Sequence, residues 1–397
     1  MSSLTVSSKS KSSSSSSPLL SFKGEEEGTL SFTIDDINVS FINGIRRTIL
    51  SDIPTLVFHC FPHDENDADI HVNTTRLNNE VLKQRLSCIP IHISDLSLPY
   101  KELVVEINMK NDSENTIDVT TEHFKIKNIT SGKYLQDAAV RKIFPPCPIT
   151  KDYILFARLR PKVSTIAPGE ELSISAKMSL HTAGEDGTFN VASTCAYKFT
   201  PDKLKQDQIW QNKLAEISSE EKADPDVLAL LQQNWYNHEG LRYFKTDSFD
   251  FKLETLGVYT NEELVHKACG ILIEKLIYIR DNIEEQGVIE KSISTIPNSV
   301  DITLKNTGYT VGKIIEYILH KNYYQGAHNK NLTYVGFRKN HPHDEDSIIR
   351  MGIKDGGGDE TKDGGGDETS RQIVILNMQE ACNNAIEVLS GIMTEFS

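Results

Sequence analysis

A local pattern that occurs twice constrains this 397-residue chain most. The first copy is a helix expected from about Asn38 to Ser51, closed by Ile53-Pro54. An apolar run from Thr55 to Phe61 follows, then Pro62-His63-Asp64-Glu65 and a second apolar run. The second copy is a helix expected from about Thr310 to Leu319, the apolar run Leu332 to Phe337, Pro342-His343-Asp344-Glu345, and the run Ser347 to Ile353. A helix feeding a two-stranded unit near both ends of one chain implies two related halves that pair with each other.

The periodicity between the copies supports that organisation. Leu30, Phe32 and Ile34 alternate with polar residues, the period of a half-buried strand. A second helix is expected over Asn79–Ser87. Short runs such as Leu103 to Ile107 and Tyr153 to Leu159, separated by polar turns, predict an inserted β-rich domain over 96–182. Strand character returns at Phe189 to Phe199. The polar, acidic stretch with Trp210 and Trp235 reads as a loop with a short helix, and Phe249, Phe251 and Leu253 alternate as a strand. Thr260 and Glu263 form a capping box at the head of a long helix. Its stripe is Val265, Cys269, Leu272, Leu276, Ile279 and Ile283, spaced to meet a partner helix. A last helix is expected after Asn377, with Glu380 completing its cap and the stripe Met378, Cys382, Ala385, Leu389, Ile392 and Phe396.

Residues 1–21 read as a disordered Ser-rich tail, 285–298 as a linker, and the duplicated Asp-Gly-Gly-Gly-Asp-Glu-Thr over 355–369 as a flexible hairpin tip between Ile348–Ile353 and Ile373–Leu376. The net charge of −14 argues against direct grip on nucleic acid, which needs clustered Lys and Arg, and favours protein partners. No apolar stretch approaches the roughly 20 residues of a membrane helix. The six cysteines are scattered without a Cys-x-x-Cys pair, as in a reducing compartment.

Candidate chemistry is sparse. His59 and Cys60 would point to opposite faces of a strand, so His59, Cys60, His63 and Asp64 read as structural rather than metal-binding. His341, His343 and Asp344 read as a polar turn, and the Gly-Gly-Gly-Asp repeats lack the apolar anchors of calcium-binding repeats. No phosphate loop, nucleophile elbow or His-Glu-x-x-His motif is present. Arg46 and Arg47, beside Asn43 on an amphipathic helix, are either a solvated edge or a guanidinium anchor for a partner protein.

The segment Asn43-Gly44-Ile45-Arg46-Arg47-Thr48-Ile49-Leu50-Ser51-Asp52-Ile53-Pro54-Thr55 resembles the signature helix of the alpha-like subunits of cellular RNA polymerases. Asn73-Thr74-Thr75-Arg76-Leu77-Asn78-Asn79-Glu80, Gln84-Arg85-Leu86-Ser87-Cys88-Ile89-Pro90-Ile91 and Leu180-His181-Thr182-Ala183-Gly184 look like that family's next elements. Thr310-Val311-Gly312, Val335-Gly336-Phe337, His341-Pro342, Ile348-Ile349-Arg350 and the helix with Glu380-Ala381-Cys382-Asn383-Asn384-Ala385-Ile386 resemble the smaller partner of the same family. Tyr309 stands where those relatives usually carry histidine.

The resemblance implies an α+β fold: two alpha-like dimerisation domains, each a sheet plus long helices, paired within one chain and carrying the inserted domain. The larger-subunit-like domain would be discontinuous, over 22–95 and 183–284, and the smaller-subunit-like domain would be 299–397. It implies a non-catalytic assembly platform for a DNA-directed RNA polymerase. Asn43, Arg46, Arg47 and Arg85 would dock partners. Val265, Cys269, Leu272, Leu276 and Ile279 would pair with Met378, Cys382, Ala385, Leu389 and Ile392. Expected partners are the largest and second-largest polymerase subunits and a small zinc-binding subunit, with DNA met only through the complex, no membrane and no homo-oligomer. Relatives often carry a metal cluster in the inserted region; here it holds only Cys147, so no metal or other cofactor is expected. Fusion of the two subunits is similar to the arrangement in large cytoplasmic DNA viruses. That implies residence in the host cytoplasm and virion, or in the nucleus if the virus transcribes there. The rival readings are an autonomous metal-binding enzyme and a DNA-binding regulator.

Overall fold

The computed structural model describes residues 18–162, 168–218, 224–285, 288–326, 329–354 and 365–397. The Ser12–Ser17 run and residues 355–364 of the Gly/Asp repeat lie outside them.

The described chain opens with antiparallel strands β1 (Leu19–Glu26) and β2 (Thr29–Asp35). In β2, Leu30, Phe32 and Ile34 are buried while the residues between them are half-buried, because successive side chains point to opposite faces. Helix α1 (Val39–Ser51) starts at Asn38, whose side chain accepts the Ser40 amide, and stops before Pro54, which cannot continue a helix.

The chain then builds a second body. Its elements are β3 (Thr55–Val57), β4 (Ala68–Asn73), α2 (Asn79–Ser87), β5 (Leu103–Lys110), β6 (Ile117–Thr120), β7 (Lys125–Asn128), α3 (Asp137–Ile143), β8 (Leu155–Leu159), β9 (Glu171–Lys177) and β10 (Ser179–His181). It returns through β11 (Ala192–Pro201), α4 (Lys203–Glu216), α5 (Pro225–Asn237), β12 (Phe244–Thr255) and α6 (Asn261–Asn282). The last stretch is β13 (Ile289–Lys291), β14 (Ser299–Leu304), α7 (Tyr309–Leu319), β15 (Leu332–Arg338), β16 (Ser347–Ile353) and α8 (Gly365–Glu395).

Two four-stranded antiparallel sheets share one order, β1-β2-β12-β11 and β13-β14-β16-β15. In each, the second strand leads into a helix (α1 or α7) and the last strand in sequence leads into a long one (α6 or α8). The halves differ between that first helix and the outer strand: the first inserts a whole body there, the second a short connection. Both sheets and all four helices share one apolar core. Helices α6 and α8 run antiparallel along each other, since Arg280 bonds Asn383 at 3.0 Å while Glu284, just past the end of α6, meets Gln379, further back on α8, at 3.4 Å. The Thr260–Glu263 capping box that starts α6 is formed. Helix α1 crosses α7 at Gly44, where a Cβ would lie 3.0 Å from Ile314 Cδ1; the absence of a side chain permits that approach. The inserted body has its own core, from Leu56 to Met178, around the sheet β4-β9-β5-β7.

Several expectations are corrected. The first helix–strand–strand copy is not a structural counterpart of the second. β15 pairs with β16, but β3 pairs with β10 and β4 with β9. The true counterpart of β15 is β11, and Pro62-His63-Asp64-Glu65 belongs to a 3₁₀ turn of the inserted body. Residues 56–93, expected in the dimerisation domain, contribute instead to the second core, so that body starts well before residue 96. The linker 285–298 contains β13, which completes the second sheet. Trp210 and Trp235 lie on two helices, packed 5.6 Å apart, because each indole buries against the other. Ile373–Leu376 is helical rather than a hairpin strand. Val374 extends the α8 stripe back by one turn from Met378, and Asn377, read as a cap, sits mid-helix with its side chain bonded to Asn331.

Candidate partner-docking site

Helix α1 buries Phe41, Ile42, Gly44, Ile45, Thr48 and Ile49, which leaves Asn43, Arg46 and Arg47 toward its outer side. Arg46 and Arg47 diverge. Arg46 Nε donates to Asn43 Oδ1 at 3.1 Å and its carbonyl lies 3.8 Å from Cys195 Sγ on β11. Burial pushes the Cys195 thiol up to about 12, against the opposing pull of Arg46. Arg47 is exposed, and its Nε donates to Thr310 Oγ1 at 3.0 Å, reaching the first turn of α7. The C-terminal end of α1 is fixed by Lys275 of α6, 2.5 Å from Asp52. The outer face of α1 is therefore tied to both halves, to α6 through Asp52 and to α7 through Arg47.

Arg85 is placed elsewhere. It lies on α2, in the inserted body, and donates from Nε to the Phe156 carbonyl and from Nη2 to the Leu155 carbonyl, each at 2.7 Å. Its guanidinium ties α2 to β8, so the structure does not bring it onto the α1 face. The ten seam residues are brought together: Val265, Cys269, Leu272, Leu276 and Ile279 of α6, and Met378, Cys382, Ala385, Leu389 and Ile392 of α8, are all buried in the one core. Each of the large aliphatic ones contributes about 1.5–3 kcal/mol by leaving water. Desolvation pushes the Cys269 and Cys382 thiols up to about 12, so both behave as small apolar side chains.

Among the described residues no group of three or more His, Cys, Asp and Glu is gathered to hold a metal ion. His59 is buried, with Nδ1 3.2 Å from the Glu65 carbonyl and its ring stacked 4.0 Å from that of His181. His181 in turn bonds Glu185. Cys60 faces the second core, its thiol pushed up to about 11 by burial. The Asp344 side chain accepts from the His341 amide at 2.9 Å in an exposed turn.

Sequence reasoning missed the contribution of α7. Thr310, Lys313, Glu316, Tyr317 and His320 lie beside α1, and their spacing along one helix was the available signal.

Residues 31–276 match the model of the family described as the RNA polymerase Rpb3/Rpb11 dimerisation domain. The chain is 27% identical over 286 residues to the DNA-directed RNA polymerase subunit Rpo3 of Methanosphaera stadtmanae, covering 64% of this chain and 94% of that one. It is 23% identical over 283 residues to Rpo3 of Aeropyrum pernix (64% and 90%). It is also 23% identical over 291 residues to the DNA-directed RNA polymerases I and III subunit RPAC1 of Saccharomyces cerevisiae (63% and 83%). The family match ends inside α6, and residues 277–397 lie beyond it, although they carry the second sheet in the same strand order. With that match covering most of its length and an α+β architecture to go with it, the chain belongs to the Rpb3/Rpb11 dimerisation-domain family, that of the alpha-like RNA polymerase subunits.

Proposed function

We propose that this chain is a non-catalytic assembly subunit of a multisubunit DNA-directed RNA polymerase, on which the two large catalytic subunits dock for transcription. Its relatives are named as subunits of such enzymes, which supports the membership. One observation carries the finer reading: two sheets of identical strand order, one of them beyond the family match, close over a single core through antiparallel α6 and α8. In this reading the second half stands in for a separate smaller subunit, and the pair forms within one chain. The outer face of α1, with Asn43, Arg46 and Arg47, takes the second-largest subunit. The second half leans toward the largest subunit, and a small zinc-binding subunit joins them. DNA is met only through the complex, in keeping with the net charge of −14. The one-chain arrangement supports an origin in a large DNA virus and work in the host cytoplasm.

The test is affinity purification of the full chain from its native source, with identification of co-eluting chains. Two large polymerase subunits are expected. Arg46→Ala with Arg47→Ala is expected to weaken their recovery while the melting temperature of the chain stays put. A chain that elutes alone and incorporates nucleotides, or grips duplex DNA at physiological salt, would support the rival enzyme or regulator.

A further inference from the structure

We propose that the cleft between the two halves, where α1, α7, β11 and β15 converge, receives an extended acidic segment of a large polymerase subunit. The inference rests on the assembly reading and names the chemistry of the partner. The cleft is about 380 Å³, with Val39 and Asn43 from α1, Tyr197 from β11, Tyr317 from α7 and Val335 from β15 on its walls.

Its shape favours an extended chain. β11 and β15 are the outer strands of their sheets, each with a ladder partner on one side only. A free strand edge offers unpaired amides and carbonyls, to which an extended peptide adds by main-chain hydrogen bonds while pockets select its side chains. Here β11 and β15 each supply a side chain to one cleft, Tyr197 and Val335, and on β15 the Phe337 amide is already taken by Glu316.

Its charge favours acid. The Lys321 ammonium sits 5.9 Å over the Tyr317 ring, and among the described residues no carboxylate pairs with it. Lys313 lies 5.7 Å over the Phe337 ring. Arg46 reaches the rim through its bond to Asn43. Among the described residues, Glu316 is the one carboxylate on the walls. One of its oxygens accepts from Lys313 at 2.5 Å and the other from the Phe337 amide at 3.0 Å, so both are engaged. On the walls Lys313 and Glu316 offset each other, while Lys321 beside Tyr317 and Arg46 beside Asn43 leave the rim cationic on a chain whose net charge is −14. A carboxylate-bearing segment with an apolar or aromatic side chain complements the cations and Val39, Tyr197 and Tyr317 together. A nucleic-acid strand fits less well, because so few cations face the repulsion of the whole chain.

The experiment uses the full chain reconstituted with the large subunits. A photo-crosslinking residue at Val39, which is 37% exposed, is expected to capture a carboxylate-rich stretch of a large subunit, identified by peptide mapping. Lys321→Glu is expected to weaken association about tenfold near 0.1 M salt and less at high salt, whereas Lys321→Arg retains it. Lys321 is exposed, and an unchanged thermal melt confirms that the variants fold. Capture of a basic or uncharged stretch, no effect of Lys321→Glu, or displacement by a single-stranded oligonucleotide overturns the inference. If the wild-type chain does not bind the large subunits, the assembly reading falls and this one with it. If it binds, and Arg46→Ala with Arg47→Ala weakens it while Lys321→Glu does not, the cleft inference alone falls.

Discussion

Phe396→Ala tests whether the two halves are one energetic unit. Phe396 follows the last turn of α8, yet it is only 3% exposed. Its ring meets Phe32 of the first sheet edge-on at 4.9 Å, and Phe32 stacks on Phe251 at the same distance. Lys23 covers the other side. Its ammonium is 4.9 Å from the Phe396 centroid, 2.7 Å from Glu262 and 3.3 Å from the Glu395 carbonyl. Truncating a buried Phe costs about 3–5 kcal/mol. Because α8 ends at Glu395, the backbone at Phe396 can shift partly into the gap, so we expect the lower end, about 3 kcal/mol, or two orders of magnitude in the folding equilibrium. That figure includes about 1 kcal/mol from the ring pair itself. Urea unfolding followed by far-UV circular dichroism and by tryptophan fluorescence measures it. Both tryptophans, Trp210 and Trp235, lie in the first half, remote in sequence from the substitution. Both probes should shift together, with the slope against urea unchanged. Phe396→Leu should cost less than about 1.5 kcal/mol. If fluorescence holds its wild-type midpoint while circular dichroism moves, the halves unfold separately and the shared-core argument is wrong.

Arg85→Met should destabilise the inserted body by about 1 kcal/mol, the low end for two lost carbonyl partners that water reaches. Faster hydrogen exchange in residues 155–159 would show it. A disulfide reagent should modify Cys88 and Cys147, both exposed, in the native protein, Cys147 faster because the Thr150 amide lowers its thiol. The buried Cys60, Cys195, Cys269 and Cys382 should react only after unfolding. Asp301 is held below the ordinary carboxylate range chiefly by Arg350, whose two bonds to it are 2.6 and 2.7 Å. Its contribution is therefore present above the unfolded value of about 4 and lost as pH falls through the folded one. Asp301→Asn should destabilise clearly at pH 7 and progressively less below pH 4, as read from denaturant melts.

The parts of the fold legible in the sequence were those with a short-range physical signature. Asn38 and the Thr260–Glu263 box mark helix starts because a side chain must satisfy the free amides of a first turn. The α6 stripe was readable because three- and four-residue spacing puts one face toward one core. Ile373-Val374-Ile375 misled because β-branched residues suit strands. Their helical penalty is only a few tenths of a kcal/mol each, and burying Val374 in the shared core overrides it. The apolar run after Pro54 misled for another reason. Apolar residues entering a second core look the same as those returning to the first, so the move into the inserted body at Leu56 leaves no local mark. Arg46 and Arg47 stood out as charges on an amphipathic helix, but their divergence, one bonded back to Asn43 of its own helix and one reaching α7, is a property of packing. The α7 side of the cleft was hidden because its residues are distant in sequence from the motif they flank.

Gly44 and Ile314 are each the sixth residue of their helices, α1 and α7, and they meet. That contact is where an approximate twofold axis would pass. Counting on from it, Arg46 and Arg47 on one side correspond to Glu316 and Tyr317 on the other. In a dimer of identical chains every substitution on this helix is made twice, and the assembly offers two equal seats to any partner. Here each seat is written separately. The scaffold keeps the balance of a symmetric pair while its surface has a heads and a tails, so a partner that recognises the two arginines finds one orientation and one vacancy per molecule.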